Sequence, residues 1–280
     1  MRFGLALFAT DLSIPPHVAA RLAEERGFDA IYLPEHTHIP VSRDTPHPLT
    51  GDTLDDSYRR TLDPWIGLAM AAAVTERIRL GTAVALVAEH DPITLAKEIA
   101  TLDHLSGGRV TLGVGYGWNR EEMAAHGVDP RHRREVTRDH VLLMKALWAE
   151  EEGAYEGRFA RVDPSWAWPK PVAGGVPVLI GGGAGPKLFA HVAEWADGWM
   201  PNGSSGLRAA LPALREAWAA AGRDPAGPLL APVGVLPEAG RLEYLQGLGV
   251  TEVIFGWLWP DADQSARELD ALAELIGPFR

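Results

Sequence analysis

The feature that most restricts this chain is an alternation repeated eight times: a short apolar run, a loop marked by Gly, Pro or Asp, then a helical pattern. The runs are residues 3–8, 30–33, 78–87, 110–114, 176–180, 198–200, 230–236 and 253–255. Strands joined through helices run parallel, and eight of them close a barrel. The expected fold class is therefore α/β, a (β/α)8 barrel, with residues 1–280 as one domain and the active site at the C-terminal strand ends. A length of 280 residues would also allow two small domains, but the eightfold repeat argues for one.

The helices carry start and stop signals with a physical basis. Pro15, Pro64, Pro92 and Pro186 stand where the first helical N–H would be unpaired anyway, and Asp63 and Asp91 are natural N-caps. Gly27 and Gly249 close helices ahead of strands two and eight. Two segments break the rhythm and read as insertions, residues 38–62 after strand two and residues 155–175 before strand five. Loops of that length in a compact domain commonly form lids or substrate walls. The helix at 64–75 has no charged residue, so one face would lie bare unless covered; a second copy of the chain, in a two-fold homodimer, is the expected cover, with the protein's own loops as the alternative.

A formal net charge of −11 argues against a nucleic-acid partner or an anionic membrane surface, both of which select clustered Lys and Arg. The absence of cysteine removes disulfides, thiolate metal sites and Cys nucleophiles. Residues 1–10 are too short an apolar run for a signal peptide, and no stretch approaches the roughly 20 apolar residues of a membrane span. A cytoplasmic enzyme with a small organic substrate is the expectation.

Several motifs fall at strand ends. IGGGAGP, residues 180–186, follows a strand and opens a helix, an arrangement whose backbone N–H groups can cradle a phosphate. LGVGYGW, residues 112–118, matches a dinucleotide-binding fingerprint only loosely; its glycines suit close approach of a flat ligand, or crowding within the barrel. PEHTH places Glu35, His36 and His38 after strand two, for proton transfer or hydrogen bonding to a ligand edge. A His-x-His pair could also ligate a metal in a hydrolase, but that reading wants histidines after strands five and six. Here His191 lies within a helix and residues 201–206 contain none, so no metal is expected. Six of the ten tryptophans, Trp118, Trp166, Trp168, Trp199, Trp257 and Trp259, stand at strand ends or in loops and could wall a planar ligand. Arg131, Arg133 and Arg134 form a basic turn, solvated or in contact with an anionic cofactor tail.

Together GFDAIYLPEH (27–36), TERIRLGTAVALV (75–87), the run 90–122 ending GVGYGWNREE, VPVLIGGGAGP (176–186) and ADGWMPNG (196–203) make the chain resemble the luciferase-like monooxygenase superfamily, in its coenzyme F420-dependent branch. The resemblance implies a luciferase-like TIM barrel, usually dimeric, with a tricyclic ring in its mouth and the cofactor phosphate on the loop after strand five. Carried over by position, Gly181, Gly182, Gly183 and Ala184 match the phosphate loop. Ala83 and Val84 match a strand-three bulge behind the ring, where a non-prolyl cis peptide is expected. His36 matches a ring-side histidine and Glu35 stands where relatives often have Asp; these two are the catalytic candidates. Trp118, Asn119 and Trp199 complete the expected cofactor contacts. The family's sugar-phosphate dehydrogenases have a catalytic Glu where Trp118 stands, and their basic phosphate ligands have no match, so sugar-phosphate oxidation is not expected.

The implied activity is hydride transfer between coenzyme F420 and an organic substrate. The alternatives are an FMN-dependent monooxygenase using oxygen and a non-catalytic flavin-binding barrel.

Overall fold

The computed structural model describes residues 1–48, 50–257 and 261–280. In chain order the elements are β1 (Arg2–Leu7), α1 (Pro16–Glu25), β2 (Ala30–Leu33), α2 (Pro64–Ala72), β3 (Arg79–Thr82), α3 (Pro92–Ser106), β4 (Val110–Val114), α4 (Arg120–Ala125) and α5 (Arg133–Ala149). There follow β5 (Gly153–Glu156), β6 (Arg161–Ser165), β7 (Val178–Gly181), α6 (Pro186–Trp195), β8 (Gly198–Met200), α7 (Leu207–Ala220), β9 (Leu229–Leu230), β10 (Val233–Val235), α8 (Ala239–Gly247), β11 (Glu252–Trp257) and α9 (Ala262–Ile276).

Nine of the strands form one parallel sheet in the order β10-β11-β1-β2-β3-β4-β7-β8-β9. Its two outermost strands, β9 and β10, are halves of a single segment. Between them Ala231 N–H donates to Trp199 O at 3.0 Å on one side, and Pro232 O accepts from Ile254 N–H at 3.0 Å on the other. Pro232 has no N–H, so the segment splits at that residue while the sheet curls back on itself. The eight apolar runs of the sequence are these strands, with the seventh run divided.

Strand faces sort by period two. Along β1, Phe3, Leu5 and Leu7 pack into the large core shared with the helices, whereas the lumen is filled by Ala30, Tyr32, Leu179, Met200, Ala231 and Ile254. Tyr32 sets its bore: a Cβ on Gly81 would lie 2.3 Å from the Tyr32 ring, and one on Gly4 would lie 3.0 Å from it. The Tyr32 hydroxyl donates to Glu252 Oε1 at 2.8 Å, and Arg2 Nε lies 3.2 Å from Glu252 Oε2, which closes the N-terminal end of the barrel. Burial, with Glu252 beside it, pushes the Tyr32 hydroxyl well above its usual range.

Pro64, Pro92 and Pro186 open their helices as expected, and the Asp63 and Asp91 side chains accept from the N–H groups of Ile66 and Thr94, both at 2.8 Å. Pro15 instead occupies the N-cap, one residue before α1. Strand three, expected over 78–87, ends at Thr82 because the chain then leaves the strand line and enters a 3-10 turn at Val87–Glu89. Residues 155–175 contain more order than an inserted loop: β5 and β6 form an antiparallel hairpin that starts at Gly153. Asp139 of α5 holds it, accepting from Tyr155 Oη at 2.9 Å and Phe159 N–H at 2.8 Å. The connection between β2 and α2 carries a 3-10 turn, Asp56–Arg60, and is pinned to the end of β1 by a Thr10–Thr61 bridge. Among the described residues no helix is long and apolar enough to cross a membrane.

Candidate active site

At the C-terminal end of β3 the Ala83–Val84 peptide bond is cis, as the resemblance led one to expect. The chain beyond it is held by Glu35, whose Oε2 accepts from Leu86 N–H at 2.6 Å while Oε1 pairs with His90 Nε2 at 2.9 Å. The Val84 side chain lies between β4 and β7, where side chains are missing. A Cβ on Gly115 would meet Val84 Cγ2 at 2.4 Å, and one on Gly181 would meet Val84 Cγ1 at 2.8 Å. Gly113 makes the neighbouring strand contact, since a Cβ there would fall 2.0 Å from Thr82 O. Gly113 and Gly115 of the second glycine motif are thus explained by backbone and side-chain approach within the barrel.

Next to Val84, residues 182–185 connect β7 to α6. Gly182 has φ of +135°, open to glycine and strained for other residues. Among the described residues, the N–H groups of Gly182, Gly183, Ala184 and Gly185 have no hydrogen-bond partner. A Cβ on Gly183 or Gly185 would meet nothing within 4 Å, so the loop stands off from the protein. Trp199 braces it from behind, donating Nε1–H to Gly182 O at 2.9 Å and packing edge-on against Phe189. Free backbone donors at a helix N-terminus fit an anionic group.

The other side of the mouth is aromatic. The β2–α2 connection brings His47 and Tyr58 against His36 and Trp118, with ring centroids 5.3 Å apart for His36–Tyr58, 5.8 Å for His36–Trp118 and 5.1 Å for His47–Trp118. Phe8, at the end of β1, extends the cluster through Tyr58 at 4.8 Å. Burial, together with His36 and Arg43, lowers the His47 pKa, and burial raises that of Tyr58.

Behind the rings lies a group of buried carboxylates. Glu122 Oε2 lies 2.8 Å from His36 Nδ1, and its Oε1 accepts from Thr37 N–H at 3.1 Å. Glu89 Oε2 is buried without a hydrogen-bond partner, 3.7 Å from His126 Nε2. Desolvation, then the nearby Glu122 and Glu35 charges, push Glu89 up to about 9.

The expected site residues therefore fall into distinct places. His36 and Trp118 meet in the ring cluster, Val84 lies against Gly181 of the glycine loop, and all of them stand at or beyond the C-terminal ends of β2, β3, β4 and β7. Glu35 does not face it: the side chain is buried and both oxygens are engaged, which makes it a brace for the bulge and not a free proton acceptor. Asn119 is buried as the N-cap of α4, with Nδ2 unpartnered. Trp199 supports the glycine loop from within the core. Trp166 and Trp168 lie exposed on the outer layer beside α3, where Lys97 Nζ donates to Trp168 O, so they form no part of the ring cluster. Trp259 falls outside the described residues, as does the Trp257 side chain. His38 is exposed, with its ring beside His126, and among the described residues no three His, Cys, Asp or Glu side chains are grouped to hold a metal. Arg131 is paired with Asp129, and Arg134 lies over the Tyr116 ring at 4.9 Å.

Sequence reasoning missed Glu122, His47 and Tyr58. Asn119 and Glu122 have capping-box spacing, which assigns such a glutamate to a helix terminus. The side chain instead turns to the segment after β2. His47 and Tyr58 sit in a connection without periodicity, so nothing in the pattern shows which way they face.

The luciferase-like monooxygenase family model matches residues 17–236. An uncharacterised protein of Mycobacterium tuberculosis is 51% identical over 276 residues, 98% of either chain. An F420-dependent glucose-6-phosphate dehydrogenase of Kineococcus radiotolerans is 30% identical over 212 residues, which are 72% of this chain and 57% of that enzyme. An F420-dependent secondary alcohol dehydrogenase, solved with an F420-acetone adduct, superposes with a TM-score of 0.78 at 19% identity, covering 100% of this chain and 99% of the other.

Proposed function

The chain belongs to the luciferase-like monooxygenase family, and from that premise we propose that it is an oxidoreductase transferring a hydride between coenzyme F420 and an alcohol or carbonyl compound. One observation carries the reading: the Val84 bulge, seated between Gly115 and Gly181, adjoins a loop with four unpartnered N–H groups, so an apolar backstop and an anion cradle share one mouth. These residues fit a phosphate-bearing ring cofactor. Gly182, Gly183, Ala184 and Gly185 would hold its phosphate, and Ala83 and Val84 would back its ring. When bound, F420 accepts or supplies the hydride.

The protein's own part is orientation and one proton. His36, fixed by Glu122 through Nδ1, keeps Nε2 without a hydrogen-bond partner among the described residues and lies among the mouth rings. As hydride leaves the carbinol carbon, Nε2 takes the hydroxyl proton; in carbonyl reduction it returns that proton. Trp118, His47, Tyr58 and Phe8 offer an apolar, aromatic wall, suited to an uncharged substrate.

Titration of the purified protein with F420 and with FMN tests the reading. F420 is expected to bind at least tenfold tighter, and Gly183→Val to weaken it at least tenfold (~1.4 kcal/mol) by filling the cradle. Preference for FMN would support the oxygen-using alternative, and equal F420 binding by wild type and variant would remove the loop assignment.

The protein is also proposed to act as a homodimer. Ile66, Met70 and Leu105 are 66%, 47% and 78% exposed on adjoining faces of α2 and α3, a bare apolar surface for a second copy. Met70→Lys should convert dimers to monomers in light scattering; a monomeric wild type would sink the proposal.

A further inference from the structure

Three carboxylates, Glu35, Glu89 and Glu122, are buried together behind the mouth. Burying that much potential charge is costly unless each group is paired or neutralised. Glu35 has His90 and the Leu86 N–H, Glu122 has His36 and the Thr37 N–H, and Glu89 has no hydrogen-bond partner among the described residues and is pushed up to about 9 by burial and by Glu122 and Glu35. Glu122 uses one oxygen for each of its two hydrogen bonds, Oε2 for His36 and Oε1 for the Thr37 N–H. We propose that Glu122 is the positioning residue of His36, clamping the imidazole between α4 and the end of β2 so that Nδ1 carries a proton and Nε2 presents its lone pair to the substrate.

The geometry makes the clamp directional. Glu122 Oε1 is fixed by the Thr37 backbone N–H, which can only donate, so Oε2 alone is left for His36. A carboxylate oxygen there requires Nδ1–H, and a neutral imidazole with Nδ1–H has its lone pair on Nε2. The titratable groups around this pair are Glu35, Glu89 and His90 on the β3 side, His126 beyond α4, and His47 and Tyr58 from the β2–α2 connection. None of them makes a hydrogen bond to the His36 ring among the described residues. The role rests on the hydride-transfer reading for its consequence, but the tautomer is a property of the protein alone.

The test is long-range 15N–1H correlation NMR of histidine-labelled protein without cofactor, near pH 8.5 so that imidazoles are neutral, with His36 assigned by its loss in His36→Asn. Wild type should show the Nδ1–H tautomer. Glu122→Gln should show Nε2–H: the amide oxygen must keep the Thr37 N–H, which turns the amide NH2 towards Nδ1 and makes that nitrogen an acceptor. With F420 and substrate, Glu122→Gln should lower kcat by about 10²-fold, with the F420 Kd changed less than about twofold. A wild-type Nε2–H tautomer, an unchanged tautomer in the variant, or an unchanged kcat would each overturn the proposal. The wild-type spectrum decides even if the variant does not fold. Absence of F420 binding would overturn the cofactor reading while leaving the tautomer result standing.

Discussion

The two ends of the barrel treat polar groups in opposite ways. At the N-terminal end the chain supplies its own partners: Glu24 accepts from the N–H groups of Glu76, Arg77 and Ile78, and Asp103 from those of Val110 and Val172. Arg109 donates five hydrogen bonds, to Ser106 O, Thr75 Oγ1, Ile78 O, Ala72 O and Thr75 O. At the C-terminal end Glu89 Oε2, Asn119 Nδ2 and the N–H groups of residues 182–185 have no protein partner among the described residues. The N-terminal end is the more fully satisfied from within the fold, with Arg79 Nε and Trp195 Nε1 as its exceptions, whereas the C-terminal end leaves a run of adjacent backbone donors open. Conserving stability and conserving function are thus separate tasks here, assigned to opposite rims of the same strands.

The largest expected effect tests that separation at the mouth. His36→Ala should lower kcat by about 10²–10⁴-fold, the usual contribution of a general acid or base, in a protein that still folds but is less stable because buried Glu122 loses its partner. A change confined to F420 affinity, measured by fluorescence titration, would make His36 a binding residue instead.

The converse variant lies at the other rim. Arg109→Ala removes the donor to carbonyls of α2, α3 and the entry to β3, and leaving such groups unmatched costs about 1–3 kcal/mol. Denaturant unfolding should show that loss while kcat and cofactor affinity of the folded variant stay at wild-type values. A loss of turnover at full stability would break the division between the rims.

The same division explains what the sequence made legible. Strand order, helix starts and the glycine loop follow from local rules: apolar runs, proline at the first turn, Asp caps, glycine where a Cβ is excluded. The glycines of residues 112–118 were readable as crowding or ligand approach; Thr82 O crowds Gly113 and Val84 crowds Gly115, whereas Gly117 has φ of +72°. The cis bond at Ala83–Val84 was accessible only through family resemblance, since no periodicity encodes it. Glu35 read as a mouth residue because position after β2 does not reveal that its side chain turns under the bulge to Leu86 and His90. Glu122 and Tyr58 reach the site through contacts 86 and 22 positions from His36 in the chain, which no local pattern records. The hairpin in residues 153–165 was hidden because its strands are mostly polar and gain order by docking on Asp139.

The smallest effect discriminates most finely, because it predicts opposite signs for one substitution at the two rims. Partial burial pushes the Glu24 pKa up, but the N–H groups of Ile78, Arg77 and Glu76 together outweigh it and hold the carboxyl below its ordinary value. A depressed folded-state pKa contributes stability above the unfolded value of about 4.3 that is lost as pH falls through the folded one. Glu24→Gln should therefore lower the melting temperature at pH 7, with the difference shrinking in acid. Glu89 is the reverse case: pushed up to about 9 by desolvation and by Glu122 and Glu35, it must keep a proton that the unfolded chain releases at neutral pH. Its contribution is fully present only below about pH 4.3 and declines as pH rises towards 9. Glu89→Gln, which needs no proton, should raise the melting temperature at pH 8 and should match wild type near pH 4. Calorimetry of both variants across that pH range reads the two signs directly. If both substitutions moved the melting temperature the same way at pH 8, Glu89 would be a charged group with a partner, and the contrast between a self-satisfied rim and a receptive one would fail at its most buried residue.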